Sequence, residues 1–290
     1  MYFWIDQISI NQSDTPEKNA QVKRMGDIYR RAERVIVWLG DGSDMHEGYE
    51  YLHWPQGRLL DMTAKYTYPS QSYYSEAQQF SASLNSKALT ALIHHDYFSR
   101  LWIVQEISLA KEITVLIEDI SISWLAMRQQ YTRWHTLDYP QVCSNPKAKS
   151  YLIAGHLFSQ DNYGGSFAYY TNEAVLELSC GDCFDPRDKV YGLMALVHPE
   201  QRLPIDYNKS AYQLFRDVAV MILRRYVHGG RFYSYFGTMT ALGENMNFTA
   251  QEQEPLKKFT YKLPGMRFNI SRMVRFHRPF LPFLRIDCFR

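Results

Sequence analysis

The sequence Phe3-Trp-Ile-Asp-Gln-Ile-Ser-Ile-Asn-Gln12 opens the segment that decides the predicted fold, and Arg34-Val-Ile-Val-Trp-Leu39 closes it. Residues 2–8 are mostly apolar, which is typical of a largely buried strand. The second run is a continuous apolar stretch that ends at Gly40, a common turn residue, and it predicts another strand. The two runs therefore predict two short buried strands within the first forty residues.

Between these two strands the sequence predicts a helix over residues 16–33. Asp14 and Glu17 have the spacing of a capping box, which marks a helix start. A strand, a helix of this length and a second strand form a βαβ unit, whose two strands run parallel. Ligand crevices in such sheets lie beyond the carboxyl ends of the strands. We therefore expect residues 6–12 and 40–44 to share one rim.

The rest of the chain adds one strand and several helices to this unit. The β-branched run over residues 113–117 predicts a third strand, and Ser123 is the predicted N-cap of a following helix. Helices are predicted over residues 85–95, 98–112, 123–134, 147–158, 171–180, 188–196 and 209–227. The predicted fold class is α/β, with a small, mostly parallel sheet and a large helical second half.

Composition limits the classes of function. The chain has 32 Lys and Arg against 30 Asp and Glu, a net charge of +2, which excludes a global electrostatic attraction to nucleic acid. Its four cysteines fit a reducing compartment, and Cys180 and Cys183 lack the second pair that a zinc site needs, so no metal site is predicted. No apolar run approaches the roughly 20 residues of a membrane span, and the first residues do not resemble a secretory signal, because they lack a basic region and a long apolar region. We expect a cytoplasmic globular protein.

Charge and composition also divide the chain. Residues 256–290 hold nine Lys or Arg and one acid, whereas the remainder holds 23 bases and 29 acids. That segment is predicted to be a poorly ordered tail, or alternatively a basic arm for an acidic partner or anionic lipid. Residues 56–86 are rich in Ser, Gln, Tyr and Pro, which indicates a loop insertion. The predicted organisation is a domain over 1–215, a helical extension over 216–255, and the tail.

A group of polar side chains around Glu106 is the first candidate site. Arg100, Gln105 and Glu106 lie in one short stretch, with Trp102 four positions before Glu106 on the predicted helix. They could orient the Glu106 carboxylate beside a ligand. Alternatively, Arg100 and Glu106 each pair with another residue and only hold the helix, which is the commoner use of such charges.

Two further polar segments are candidates. Asp185, Arg187 and Asp188 lie in Asp185-Pro-Arg-Asp-Lys189, which either forms a local charge network or presents a contact surface for another domain or a nucleotide. The other segment contains three polar residues of the predicted rim, namely Asp6, Asn11 and Gln12. These could bind a ribose-type ligand, or they could satisfy backbone groups of their own loop.

Three blocks of the sequence resemble the fungal heterokaryon incompatibility (HET) domain. The first, Phe3–Gly40, resembles the family pattern W-I-D-x-I-C-I-N-Q, a helix and V-x-V-W-L-G, with Ser9 in place of the usual Cys. The second, Tyr97–Ile107, resembles F-x-R-x-W-x-x-Q-E. The third, Cys183–Leu193 with Ile205-Asp-Tyr207, resembles D-x-R-D-K-V-Y-G-L and a later D-Y. The resemblance covers roughly residues 2–215.

One part of the family pattern is not found in this sequence. Family members usually carry an upstream Y-x-x-L-S-Y-x-W-G segment, which forms the first strand and helix of the domain. A parallel sheet without that strand exposes an unpaired edge. We expect that another chain covers this edge, that the protein is marginally stable, or that the true start lies upstream.

The resemblance implies a role in fungal non-self recognition, a form of innate immunity in which the domain triggers programmed cell death. The HET fold is thought to be similar to the flavodoxin-like TIR domains, some of which cleave NAD with a glutamate. One hypothesis is a signalling module that forms a homo-oligomer or binds other HET or receptor-type incompatibility proteins. A second is an NAD-cleaving glycosidase with Glu106 as catalytic carboxylate and Asp6 and Asn11 as ligand contacts, NAD being a substrate and not a cofactor. A third is an inactive fragment of a larger HET protein.

Overall fold

The fold is seen in a computed structural model that describes residues 3–41, 92–118, 120–125, 127–128, 153–157, 168–227, 232–248, 262–263 and 266–267. The helices are α1 (Asp6–Ser9), α2 (Thr15–Arg31), α3 (Ile103–Ser108), α4 (Thr171–Leu178), α5 (Asp188–Tyr191), α6 (Ala211–Val227) and α7 (Phe232–Asn245). The strands are β1 (Val35–Trp38), β2 (Ile113–Ile117), β3 (Ile120–Ser123), β4 (Lys262–Leu263) and β5 (Met266–Arg267). Short 3-10 turns cover Asp96–Ser99 and Pro199–Gln201. The described chain is therefore α/β, as predicted.

Helix α2 forms where the sequence predicts it. The Asp14 side chain accepts a hydrogen bond from the backbone N–H of Glu17 at 3.0 Å, which caps the first turn. The Glu17 carboxylate in turn accepts from the N–H of Asn11 at 3.1 Å, and so it ties the preceding loop to the helix. The inner face of α2 is buried through Val22, Met25, Gly26 and Tyr29.

The sheet is mixed, which corrects the prediction of a mostly parallel sheet. Strand β1 pairs parallel with β2, in a register that places Val35 opposite Ile113 and Trp38 opposite Leu116. Strand β3 follows β2 directly and pairs with it antiparallel. The order in this sheet is β1-β2-β3, so β2 is central. A connection as short as the one between β2 and β3 allows only antiparallel pairing.

The predicted strand over residues 2–8 is wrong. Residues 6–9 form the single turn α1, closed by the N–H of Ser9 on the carbonyl of Ile5 at 2.9 Å. Trp4 packs edge-on against Tyr29 of α2 at 5.9 Å between ring centres. Ile8 remains 80% exposed. Because β1 takes its parallel partner from residues 113–117, this apolar segment has no neighbouring strand among the described residues and forms hydrogen bonds within a helical turn.

The predicted rim is wrong for the same reason. The carboxyl ends of β1 and β2 meet where the N–H of Glu118 donates to the carbonyl of Gly40 at 3.0 Å. Gly40 has a φ of +79°, a left-handed conformation that glycine adopts without strain. Residues 6–12 do not lie at the end of any described strand, and residues 42–44 lie outside the described part of the chain.

Several other predicted elements change length or type. The predicted helix over 98–112 is a 3-10 turn followed by the six-residue α3, and Ser123 ends β3 directly before the helical residues 124–125. The helices predicted over 171–180 and 209–227 are confirmed as α4 and α6, whereas the helix predicted over 188–196 shortens to α5. Parts of the other predicted helices are described and helical, at 92–94, 124–125, 127–128 and 153–157.

The predicted domain boundaries stay predictions. Helix α6 begins at Ala211 and continues through the boundary placed after residue 215. The insertion predicted over 56–86 lies outside the described residues, as does most of the tail predicted over 256–290, where only β4 and β5 are described and pair antiparallel. Within the described part of the chain, no helix combines the length and apolar character that crossing a membrane requires.

The core joins the sheet to helices from both halves of the described chain. Helix α2 packs on α3, and α4 packs against α6 and α7. Buried side chains such as Leu101, Ile103 and Tyr191 connect these layers. A Cβ added at Gly181 would lie 2.7 Å from the Cα of Leu101, so only glycine allows this close approach of backbones.

Candidate functional site

Glu106 occupies a half-buried position on α3. The hydroxyl of Tyr97 donates to its Oε2 at 3.0 Å. Burial raises the pKa of the Glu106 carboxyl, the positive charge of Arg100 and the Tyr97 hydrogen bond oppose this rise, and the negative charge of Asp6 adds to it. The structure therefore brings Glu106 into the same electrostatic environment as Asp6 and Arg100, three residues that the sequence analysis selected.

Two tyrosines complete this group. Tyr29 lies on the inner face of α2, and burial raises the pKa of its phenol, with the charges of Glu106 and Asp6 adding to the rise. Burial likewise raises the pKa of Tyr97, and the adjacent Glu106 carboxylate adds to it. The guanidinium of Arg100 lies 5.7 Å from the centre of the Tyr97 ring. We call Asp6, Tyr29, Tyr97, Arg100 and Glu106 the acid cluster.

An open pocket of about 460 Å³ lies beside this cluster. Tyr97 and Arg100 belong to both, whereas neither Glu106 nor Asp6 lines the pocket. The lining comprises an exposed indole, an imidazole, two carboxylates and a hydroxyl besides these two residues, namely Trp38, His95, Asp96, Asp182 and Ser99. Tyr97 thus connects the open pocket to the half-buried carboxylate of Glu106.

Asn11 and Gln12 do not join the acid cluster. The Asn11 side chain accepts from the N–H of Ser13 at 3.1 Å, and its own N–H donates to Glu17. Both Asn11 and Gln12 are exposed. The Asn11 amide therefore satisfies the turn before α2, the alternative that its sequence position left open.

Asp188 is the centre of a second group of polar contacts. Its side chain is buried, with 6% of the residue exposed. The indole N–H of Trp102 donates to Oδ2 at 3.2 Å, and the hydroxyl of Tyr207 donates to Oδ1. Burial raises the pKa of Asp188, and the Tyr207 hydrogen bond counteracts that rise. The contact joins α3 to α5 and to the loop before α6.

The charges that precede Asp188 form the network that the sequence analysis gave as one alternative. Arg187 donates to both carboxylate oxygens of Asp185, at 2.9 Å and 2.7 Å, and also to the carbonyl of Lys209 at 3.0 Å. Although burial opposes ionisation, these hydrogen bonds hold the pKa of Asp185 below its usual value. Lys18 lies 3.6 Å from Asp185 and 3.9 Å from the centre of the Tyr207 ring. The network therefore fastens α2 to the segment before α6.

Gln105 also contacts the segment around Asp188. Its Nε2 donates to the carbonyl of Gly192 at 2.6 Å, and its Oε1 is buried without a hydrogen-bond partner in the described structure. Buried Lys189 donates to the carbonyl of Gly181. The block over residues 97–107 is thus held to the block over residues 183–193 by Trp102, Gln105 and Asp188. None of these three residues lines the open pocket.

Two residues of this region, Trp38 and Tyr97, were not predicted from the sequence. In β1, Val35 and Val37 are buried whereas Ile36 and Trp38 are 42% and 70% exposed. Side chains of a strand alternate between its two faces. Because all four residues of β1 are apolar, the sequence did not show which of them face outward. The sequence carries no signal for Tyr97. Its contact with Glu106 depends on how the 3-10 turn that holds Tyr97 is placed against the helix α3 that holds Glu106.

Comparison with known proteins finds a family to which the first part of this chain is similar. The family model described as heterokaryon incompatibility protein (HET) matches residues 1–106. We call residues 1–106, which are similar to this family, the HET segment. This HET segment ends at Glu106 and contains the whole acid cluster, but its Trp102 and Gln105 bind residues beyond the match.

A curated relative extends the similarity beyond the HET segment. The chain is 28% identical over 264 residues to heterokaryon incompatibility protein 6, OR allele, of Neurospora crassa. The alignment covers 77% of this chain and 39% of the Neurospora protein, so this chain spans well under half of that relative. No solved structure matches the chain significantly.

Proposed function

We propose that this protein acts in fungal heterokaryon incompatibility, as a cytoplasmic signalling module that triggers programmed cell death by self-association or by binding another incompatibility protein. The HET segment and the similarity to the Neurospora protein support the incompatibility role. The open edge of β1 supports action by association, and it is the observation that carries this proposal.

The edge of β1 has the character of a protein-binding surface. Among the described residues β1 pairs only with β2, so its other side carries no strand. Ile36 and Trp38 project from one face of this strand and are 42% and 70% exposed. An uncovered strand with exposed apolar side chains is a site at which another chain adds by backbone pairing.

Expression of variants in a fungal host tests this proposal. Replacement of Trp38 by Lys places a charge on the edge without touching the core, so we expect loss of the death response. Leu176→Lys is the matched control, because Leu176 is a 40% exposed apolar residue on α4, away from the edge. Colony growth and uptake of a vital dye measure cell death. An unchanged response with Trp38→Lys would refute action through this edge.

The acid cluster favours a second candidate, cleavage of NAD by a TIR-like domain. A glycosidic bond to nicotinamide breaks through an oxocarbenium-like transition state, which a carboxylate stabilises. Glu106 would supply that carboxylate, Arg100 would bind the phosphates, and the pocket lined by Arg100 and Tyr97 would admit the substrate. The charges of Asp6 and Arg100 both act on the pKa of the Glu106 carboxyl, which supports this candidate.

Release of nicotinamide from NAD by the purified chain tests the second candidate. Glu106→Gln keeps an acceptor for the Tyr97 hydroxyl but removes the charge, so we expect release to cease. Glu112→Gln is the control, because Glu112 is exposed and pairs with Arg34 on the surface. Absence of release from folded wild-type protein, assayed both dilute and concentrated, would leave association as the sole proposed activity.

A further inference from the structure

We propose that β1 pairs antiparallel with β1 of a second copy of this chain, about a two-fold axis at Val37. This inference rests on the self-association branch of the proposed function, and it specifies the partner and the register. Three features of the described structure support it: the direction of the free backbone groups, the symmetry of the exposed side chains, and the charge at the two ends of the strand.

The backbone groups of Ile36 and Trp38 face the open edge. Towards β2, the N–H of Val35 donates to the carbonyl of Glu112 at 2.8 Å and the N–H of Leu39 donates to that of Leu116 at 2.9 Å. Neighbouring residues of a strand direct their N–H and C=O groups to opposite sides. The groups of Ile36 and Trp38 therefore point away from β2, where the described residues provide no partner.

A two-fold axis at Val37 satisfies all of these groups at once. In an antiparallel pair, residues directly opposite each other can exchange both of their backbone hydrogen bonds. With the axis at Val37, Ile36 lies opposite Trp38 of the second copy, and Trp38 lies opposite Ile36 of the second copy. A strand offering one self-complementary patch is what an isologous dimer requires.

The exposed side chains fit the same register. Ile36 and Trp38 lie on one face of the sheet, so the dimer forms two cross-strand contacts between an indole and a β-branched side chain. Pairs of this kind are among those that stabilise antiparallel sheets. The contacts also cover the two apolar side chains of β1 that monomeric protein leaves in water.

Charge at the two ends of β1 is complementary under this symmetry. Within the described residues, three bases and two acids flank its start, namely Arg31, Arg34, Lys111, Glu33 and Glu112. Asp41 and Glu118 flank its end, and the pocket beside Trp38 adds the acids Asp96 and Asp182 and the base Arg100. Antiparallel pairing brings the start of one strand to the end of the other and so places a net positive charge beside a net negative charge. Gly40, opposite Arg34 of the second copy, has no atom of the described residues within 4 Å of where a Cβ would stand, which leaves room for that side chain.

The backbone requirement is tested by proline substitution at Ile36. Ile36→Pro removes an N–H that β2 does not use, so the β1–β2 ladder stays intact while the outward donor is lost. We expect dimerisation, followed by analytical ultracentrifugation over a concentration series, to weaken by at least about tenfold, the loss expected from two symmetry-related hydrogen bonds. Ile36→Val keeps the N–H and a β-branched side chain, and it should dimerise like wild type. Circular dichroism checks that both variants fold.

The register is tested by cross-linking copies that carry single added cysteines. A short bismaleimide should join Ile36→Cys copies to Trp38→Cys copies far more efficiently than it joins Ile36→Cys copies to one another. The unsubstituted chain, with its four native cysteines, provides the background. Preferential joining of Ile36→Cys copies to each other would indicate parallel pairing and overturn the proposed symmetry.

The outcomes separate this inference from the proposed function. A wild-type chain that stays monomeric at every concentration, or an Ile36→Pro variant that dimerises normally, overturns the inference. Trp38 also lines the open pocket, so if Trp38→Lys nevertheless abolishes cell death and the wild-type chain releases no nicotinamide from NAD, the proposed function stands and another protein occupies the edge. If the dimer forms in the proposed register but Trp38→Lys leaves cell death unchanged, the inference stands and the proposed function fails.

Discussion

The indole N–H of Trp102 donates to the carboxylate of Asp188 across 86 positions of sequence. Trp102 lies in the HET segment, whereas Asp188 lies in α5, well beyond residue 106. Tyr207 donates to the other oxygen of the same carboxylate. The packed structure around the HET segment therefore includes residues from the segment that follows it. Replacement of Asp188 should destabilise the packing of both segments.

Replacement of Asp188 by Ala should lower the free energy of unfolding by about 3 kcal/mol, because two buried donors lose their acceptor. Urea denaturation followed by circular dichroism measures this change. Asp27→Ala is the control, since Asp27 pairs with Arg30 on the surface of α2 and its removal should cost less than about 0.5 kcal/mol. Equal effects of the two variants would show that the Asp188 contacts contribute nothing to stability.

Gly181 and Gly237 should respond in opposite directions to alanine. A Cβ at Gly181 would lie 2.7 Å from the Cα of Leu101, so Gly181→Ala should destabilise the protein by about 2 kcal/mol through overpacking. Gly237 lies exposed within α7 and no atom of the described residues lies within 4 Å of its Cβ position, so Gly237→Ala should stabilise the protein by up to about 1 kcal/mol. Thermal unfolding of the two variants measures both shifts. Stabilisation by Gly181→Ala would refute the close approach at Leu101.

Glu106→Gln should change how stability depends on pH. Because burial raises the pKa of Glu106 in the folded state, the folded protein holds this proton more tightly than the unfolded chain does. Wild-type stability should therefore fall as the pH rises from the carboxyl's usual pKa through its folded value. Glu106→Gln has no proton to lose, so the difference in free energy of unfolding between variant and wild type should increase in favour of the variant over that range.

Urea denaturation at a series of pH values measures this difference. Glu112→Gln is again the surface control, and its effect should stay within about 0.5 kcal/mol at every pH. A pH-independent difference between Glu106→Gln and wild type would mean that the Glu106 carboxyl is not desolvated.

His156 should make the protein sensitive to acid. Burial lowers the pKa of its imidazole to about 4, and the ring shares a hydrogen bond with the hydroxyl of Tyr169 and lies 3.5 Å from Glu177. The unfolded chain takes up a proton near pH 6.5, whereas the folded protein resists it until about pH 4, so stability is lost as the pH falls between these values. His156→Gln should lose less stability over that interval.

Acid titrations followed by intrinsic fluorescence measure the effect of His156→Gln. His198→Gln is the matched control, because His198 is half-buried and stacks on Tyr170 at 5.3 Å. Identical acid profiles for His156→Gln and wild type would contradict the assignment of acid sensitivity to His156.

Features that depend on neighbours in sequence were predictable. The Asp14 cap, the buried face of α2 and the strand over residues 113–117 follow from capping chemistry and apolar spacing, which act within a few residues. The Asp185–Arg187 pair belongs to the same class, because its partners lie two positions apart. The sequence also selected Glu106 from its helix, and it selected Asp6 for a rim that does not form.

Features that depend on distant partners were not predictable. Residues 2–8 are as apolar as a strand, but a strand also needs a neighbour, and β1 pairs with β2 instead. The same choice of partner leaves Ile36 and Trp38 at an open edge. The contact of Tyr97 with Glu106 likewise depends on the 3-10 turn that interrupts the predicted helix over 98–112.

The sequence by itself determined the fold class, the local caps and the family resemblance, because these depend on residue types at short and regular spacings. The tertiary structure alone decided which strands pair, that Asp6 and Glu106 share one environment, and that Trp102 binds Asp188. Such contacts join residues far apart in the chain, and only the packing of the whole core selects among the many partners that each residue type would accept.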